Sequence, residues 1–65
     1  MKLENGDEVE KSTGDYRYRG TVVATFKKLN GMERYVVENA DGMLFIFSPA
    51  QLKLKRVHNP RTIID

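Results

Sequence analysis

The sequence predicts a small all-β domain, and three observations lead to that class. The apolar residues fall into runs of strand length that glycines and short polar clusters separate, and no stretch of about ten residues or more has helical periodicity. β-Branched residues are concentrated in one central run, residues 19–28. At 65 residues the chain is long enough for one domain only, so we expect a single small core.

The first two strands are predicted from their side-chain alternation. Residues 7–12 place Val9 as the one apolar side chain between charges, which suits a short edge strand. Residues 19–28 follow as the central strand. Alternation assigns three apolar side chains of this strand to one face, namely Val22, Ala24 and Phe26.

Two tight turns extend these strands into a meander. The dipeptide Asn30-Gly31 predicts a hairpin because both residue types tolerate positive φ. Residues 34–39 form its second strand, and residues 40–42 provide the next turn. Residues 43–47 then form a further strand.

The remaining residues complete the predicted domain. Residues 48–52 read Ser-Pro-Ala-Gln-Leu, a capping serine followed by proline, which favours one turn of 3₁₀ helix before a last strand that carries Leu54. Five short strands with a 3₁₀ turn before the last are typical of an SH3-like barrel. We therefore assign an N-terminal arm to residues 1–5, the barrel to residues 6–55 and a flexible basic tail to residues 56–65.

The composition excludes several classes of function. The chain has no cysteine and one histidine, His58, so it has no disulfide framework, zinc ribbon or thiol nucleophile, and no second ligand stands at metal spacing. We expect no metal and no membrane span, and a cytoplasmic location because the first residues lack the apolar stretch of a secretory signal. Self-association is the remaining way to stabilise so short a chain.

The charge is modest and unevenly placed. The formal net charge is +2, with acidic residues concentrated in the first ten positions and basic ones near the end. An anionic partner such as nucleic acid would contact the basic side chains and stack on nearby rings. The basic residues predicted to take part are Arg17, Arg19, Lys27, Lys28, Arg34, Lys53, Lys55 and Arg56.

The strand at residues 43–47 is apolar on both faces. Alternation places Leu44 and Ile46 on one face and Met43, Phe45 and Phe47 on the other. A barrel this small uses only one face for its core, so we expect the second face to be exposed. We assign that exposed face to Met43, Phe45 and Phe47 and predict that it joins copies of the chain into a dimer or tetramer.

The order and spacing of several motifs resembles one known family. The motifs are GDEVEK at 6–11, Gly14, YRGTVV at 18–23, YVVE at 35–38 and GMLFIF at 42–47. They look like the barrel of the plasmid-borne, trimethoprim-insensitive type II dihydrofolate reductases and of small phage and bacterial proteins that share it. The resemblance covers residues 6–54 and implies a bacterial or phage-infected host.

The resemblance also implies site residues. In those reductases four barrels enclose one pore that holds NADPH and dihydrofolate, and a lysine near the end of the first strand attracts the ligands' negative charges; Lys11 takes that place. The pore strand reads Val-Gln-Ile-Tyr and matches Leu44, Phe45, Ile46 and Phe47. Phe45 replaces the glutamine that orients the ligands, and a phenyl ring offers neither donor nor acceptor.

The sequence therefore favours a binding module without catalysis of its own or a bound cofactor. It self-associates through the aromatic strand. One alternative is an NADPH-dependent reductase of the type II dihydrofolate class, active as a homotetramer. A second is a nucleic-acid-binding barrel of the SH3-like or KOW-like kind.

Overall fold

The computed structural model describes residues 2–14 and 17–58, and these form one antiparallel sheet. The elements in chain order are β1 (Glu8–Lys11), β2 (Arg19–Lys27), β3 (Glu33–Glu38), β4 (Leu44–Phe47), a 3₁₀ turn (Pro49–Gln51) and β5 (Leu52–Arg56). The strand order across the sheet is β4-β3-β2-β1-β5, so β4 and β5 are its two edges. The predicted all-β class, with five strands and a 3₁₀ turn before the last, is confirmed.

The β2–β3 hairpin turns at Asn30 and Gly31, as predicted, but its geometry differs. Gly31 has φ 86°, whereas Asn30 does not adopt positive φ. The Lys28 N–H donates to the Met32 carbonyl at 2.8 Å, and the Gly31 N–H donates to the Lys28 carbonyl at 2.8 Å. This pattern belongs to a three-residue loop that ends in a glycine bulge. Asn30 contributes through its side chain, whose Oδ1 accepts the Met32 N–H at 3.0 Å.

The β3–β4 hairpin repeats the same geometry. The Asn39 N–H donates to the Met43 carbonyl at 3.0 Å, the Gly42 N–H donates to the Asn39 carbonyl at 3.0 Å, and Gly42 has φ 80°. Asn39 Oδ1 also accepts the N–H groups of Asp41 and Met43, at 3.0 and 2.9 Å. This turn therefore sets the register of β4 on β3.

A bulge in the middle of β2 overturns the predicted face assignment. Val22 pairs with Val37, but Ala24 pairs with Val36, so β2 contains one extra residue between them. Val36 and Val37 point to opposite faces, and Val22 and Ala24 therefore do so as well. The expectation that Val22, Ala24 and Phe26 share one face is wrong, because strict alternation does not survive a bulge.

The core lies on one face of the sheet. Its buried apolar residues are Leu3, Val9, Tyr18, Val22, Tyr35, Val37 and Phe47, with Leu52 and Leu54 packed against them. Leu3 comes from the segment predicted to be an N-terminal arm. It is 5% exposed, so this segment contributes to the core.

Asp7 joins the beginning of the described chain to its end. Its side chain is fully buried and accepts the Glu4 N–H at 2.9 Å and the His58 N–H at 3.1 Å. Its carbonyl accepts the Val22 N–H at 2.9 Å, which fixes the segment to β2. The rest of the predicted tail, residues 59–65, lies outside the described residues.

Candidate functional site

The inner face of β4 is buried at the Phe47 end and exposed at the Met43 end. Phe47 is 6% exposed because it pairs with the buried Tyr35 on β3. Phe45, on the same face, is 37% exposed, and Met43 is 52% exposed. The expectation that Met43, Phe45 and Phe47 form the exposed face of this strand is therefore wrong for Phe47.

Phe45 and Phe47 pack with Tyr18 in a cluster of three rings, which we call the Tyr18 cluster. The Tyr18 ring meets Phe45 edge-on at 4.8 Å between centroids and lies 5.3 Å from Phe47. Phe45 and Phe47 are 6.4 Å apart in a stacked arrangement. Such pairs contribute about 0.5–1.5 kcal/mol each beyond their burial. The cluster therefore holds β4 against the core.

The Tyr18 hydroxyl adds a polar anchor beside these rings. It lies 2.8 Å from the Met43 carbonyl and 3.0 Å from the Val37 carbonyl, and these two acceptors share its single proton. The Val37 carbonyl belongs to β3 and the Met43 carbonyl precedes β4. One phenol thus holds the start of β4 next to the end of β3.

The exposed face of β4 is formed by Leu44 and Ile46, which the sequence interpretation placed in the core. They are 59% and 60% exposed. Ile46 pairs with Val36, and Leu44 pairs with Glu38. Glu38 carried the signal that could have identified this face: the turn sets residue 38 opposite residue 44, and a charged partner on the outer face places Leu44 there too.

One edge of β4 is open to a further strand. The bond between Asn39 and Met43 makes Phe45 and Phe47 the residues that exchange hydrogen bonds with β3, because bonded and non-bonded pairs alternate along an antiparallel ladder. The N–H and C=O groups of Leu44 and Ile46 therefore point away from β3. In the described part of the chain, no strand of the sheet lies on that side of β4.

Tyr35, which lies opposite Phe47, is a buried titratable group of this region. Its hydroxyl donates to Glu33 Oε2 at 3.2 Å and accepts the Leu3 N–H at 3.4 Å. Burial raises the pKa of Tyr35 above its usual 10.0, the hydrogen bond from Leu3 lowers it, and Glu33 raises it further. The phenol is therefore held in its neutral form.

Lys11 is separated from β4 in the sheet. It pairs with Leu52 at the end of β1, and both β2 and β3 lie between β1 and β4. Its ammonium group donates to the Thr13 carbonyl in the following loop. The sheet of a single chain thus does not bring Lys11 together with Leu44, Phe45, Ile46 and Phe47.

The predicted basic residues occupy several separate places. Arg19 and Lys27 stand at the two ends of β2, about 26 Å apart at the usual rise per residue. Arg19 faces Glu10 at 3.6 Å, and Arg56 faces Glu8 at 4.0 Å. Arg17 and Lys28 are exposed in loops. The Arg34 Nη1 group donates to the Glu33 carbonyl at 2.6 Å. Lys53 and Lys55 lie on β5. They are distributed over β2, β3, β5 and two loops.

Within residues 2–14 and 17–58, no group of three His, Cys, Asp or Glu side chains is placed to hold a metal ion. The same residues contain no helix that is long and apolar enough to cross a membrane.

Comparison with protein-family models, curated proteins and solved structures gave no match for this chain. The resemblance to the type II reductases therefore stays a prediction from the motifs. The geometry of β4 is the main structural indication of a function.

Proposed function

We propose that this chain is a small binding module of the SH3-like barrel class that self-associates through β4 and has no catalysis of its own. The observation that carries the proposal is the open edge of β4, which joins free backbone groups to an exposed apolar face at Leu44 and Ile46. Segment 43–47 has no charged residue. Uncharged apolar edge strands are templates for pairing with another chain.

The expected contact is weak for one pair of chains. Full burial of a leucine or isoleucine side chain contributes about 1.5–3 kcal/mol. Leu44 and Ile46 are 59% and 60% exposed, so complete burial of the four side chains of two copies would contribute at most roughly 4–7 kcal/mol. Edge-to-edge pairing buries only part of this area and association costs about 4–15 kcal/mol, so the contact also depends on the backbone hydrogen bonds. We therefore expect a weak contact, and a dissociation constant of about 10 μM to 1 mM corresponds to a binding free energy of roughly 4–7 kcal/mol.

Sedimentation velocity over that concentration range tests the proposal. We expect a reversible shift from monomer to oligomer in the unaltered chain. Ile46→Lys should raise the dissociation constant at least about tenfold, because it places a charge on the pairing edge. Met32→Lys is the matched control, since Met32 is 54% exposed in the β2–β3 hairpin. A chain that stays monomeric throughout, or equal effects of the two lysines, would contradict the proposal.

Reductase activity is the second candidate, and the matching positions of Lys11 and Ile46 are its support. The residues do not fit a nicotinamide cofactor, however, because Phe45 has no polar group to orient it and the Lys11 ammonium is held by the Thr13 carbonyl. We expect no dihydrofolate-dependent NADPH oxidation in the unaltered chain. Activity that disappears in Lys11→Ala would establish the reductase, and activity gained in Phe45→Gln would indicate a shared assembly that lacks its orienting residue.

Nucleic-acid binding is disfavoured by the scattered basic residues. A stacking groove needs cations and rings on one surface. Two of the three rings in the Tyr18 cluster are buried, and the arginines at 19 and 56 face carboxylates. We expect no salt-dependent retention on single-stranded DNA or RNA at physiological ionic strength, and clear retention would reverse this choice.

A further inference from the structure

The open edge of β4 has a defined length, which the hydrogen bonds at its ends set. Leu44 and Ile46 direct their N–H and C=O groups outward. The next outward positions are Gly42 and Ser48. The Gly42 N–H is already donated to the Asn39 carbonyl at 3.0 Å, and the Ser48 N–H is donated to Gln51 Oε1 at 2.9 Å. Among the described residues, Leu44 and Ile46 are therefore the two positions of β4 whose outward N–H groups have no partner in the sheet.

We propose that two copies of this chain pair their β4 strands antiparallel about a two-fold axis at Phe45, with Leu44 of each copy opposite Ile46 of the other. The inference rests on the proposed function and specifies its partner and register. Each Leu44 and Ile46 pair exchanges both of its N–H and C=O groups, so the contact contains four backbone hydrogen bonds. The two sheets join into one.

Only this register uses all the free groups. A two-fold axis at Leu44 would place Ile46 opposite Gly42, and an axis at Ile46 would place Leu44 opposite Ser48. In both cases a carbonyl of Ile46 or Leu44 would face an N–H that is already committed inside its own chain, and that carbonyl would have no donor. The axis at Phe45 pairs every outward N–H and C=O group of Leu44 and Ile46. An unpaired buried backbone group costs about 1–3 kcal/mol, which is enough to select the register.

A second copy fits this edge better than a longer foreign strand does. A longer strand would extend past Gly42 or Ser48 without gaining a bond to their N–H groups, and Pro49 has no N–H to offer. The free groups of Leu44 and Ile46 are complementary to their own antiparallel copy, as an isologous contact requires.

The proposed register also pairs the side chains. On the outer face Leu44 packs beside Ile46 of the second copy, which buries part of the two most exposed apolar residues of β4. On the inner face the two Phe45 rings meet across the axis. The Tyr18 cluster of each copy then lies on either side of that contact, and the rings form one continuous aromatic group.

Single-cysteine variants test the register directly, because the chain has no cysteine of its own. In the proposed pairing the Cα atoms of Leu44 and of Ile46 in the second copy are about 5.5 Å apart, which suits a disulfide. Two Leu44 positions, or two Ile46 positions, are about 8 Å apart or more, which is too far. The experiment oxidises Leu44→Cys, Ile46→Cys and their mixture, and it separates the products by non-reducing electrophoresis.

We expect the mixture to give at least about tenfold more covalent dimer than either variant alone. Phe45→Cys should cross-link with itself, because the two Cα atoms at the axis lie about 4.5 Å apart. Met32→Cys, on the exposed hairpin, measures random collisions. Cross-linking of Leu44→Cys or Ile46→Cys alone would overturn the register in favour of another axis.

Sedimentation of the same variants distinguishes a failure of β4 pairing from a failure of self-association. A dimer by sedimentation that gives no cross-link in the mixture or in Phe45→Cys would overturn β4 pairing while leaving self-association in place. A chain that remains monomeric would remove the proposed function itself. A dimer with the expected cross-links supports both.

Discussion

The two edges of the sheet, β4 and β5, present different surfaces to a neighbouring chain. β4 reads Leu-Phe-Ile-Phe and has no charge, whereas β5 reads Leu-Lys-Leu-Lys-Arg, with its leucines packed against the core and its lysines exposed. Charged side chains along an edge discourage strand addition. The charged edge β5 is therefore protected against pairing, whereas the uncharged edge β4 is not. Because β4 is the one edge of the described sheet without such charges, we expect the proposed pairing to give a closed dimer rather than a fibre.

Truncating one inward-facing side chain on β4 and one on β5 should separate the stability of the two edge strands most clearly. Phe47→Ala should lower the free energy of unfolding by about 3–5 kcal/mol, because it empties a buried ring position. Leu54→Ala should cost less, since Leu54 is only partly buried. Urea denaturation at low protein concentration measures both. Equal losses in the two variants would contradict the assignment of Phe47 to the core.

Removing the charges of β5 should allow this second edge strand to pair as well. In the double variant Lys53→Ile with Lys55→Val, we expect both edges to pair, so that the chain forms species of about four copies or more instead of a dimer. The double variant Lys27→Ile with Lys28→Val is the control, because it makes the same change at the β2–β3 hairpin. Light scattering after size-exclusion chromatography distinguishes them. Growth in the control, or none in the β5 variant, would count against a protective role for the lysines.

A smaller effect is expected from the anchor that holds β4. Tyr18→Phe removes the hydroxyl that donates to the Met43 and Val37 carbonyls while keeping the ring. We expect the free energy of unfolding to fall by about 1–2 kcal/mol. The Tyr18→Phe dimer should also be weaker, because β4 is less fixed before it pairs. Urea denaturation and sedimentation measure the two effects, and an unchanged stability would show that the hydroxyl is dispensable.

The smallest effect is expected from titration beside β4. The pKa of Tyr35 is raised above 10.0 in the folded chain, first by burial, so above pH 10 the unfolded state loses this proton before the folded state does. Stability is therefore fully present below pH 10 and declines as the pH rises through the folded pKa. Tyr35→Phe should flatten this decline in denaturation curves measured from pH 9 to 11. A decline of the same steepness in Tyr35→Phe would assign it to other groups.

The fold was predictable from local signals, whereas the faces of its strands were not. Glycine turns and short β-rich runs identified the strands, and both turns lie where they were predicted, at Asn30-Gly31 and at residues 40–42, but the role of Asn39 in the second turn was not predicted. The error in β2 has a specific cause, since the bulge between Val22 and Ala24 depends on pairing with β3 and has no signature in β2 itself.

The candidate site on β4 could be predicted only in part, because its buried face also depends on strand pairing. The sequence shows that residues 43–47 are apolar on both faces, but alternation alone does not say which face is buried. Aromatic residues are found in cores and at interfaces, so Phe45 and Phe47 fitted both. Pairing decides the matter, because the partner of Phe47 is Tyr35 and the partner of Leu44 is Glu38. The open edge of β4 follows from the strand order, which composition does not contain.

The strand order also implies a sequence of folding events. The hairpins β2–β3 and β3–β4 join neighbouring segments, whereas β1 pairs with β5 across more than forty residues, as Lys11 does with Leu52. Closing a long loop costs more entropy than forming a hairpin, so the meander from β2 to β4 is expected to form first and the β1–β5 contact last. The unprotected edge thus belongs to the early part of the structure. If two copies pair through β4 as proposed, we expect their recognition to begin before either has acquired its charged edge.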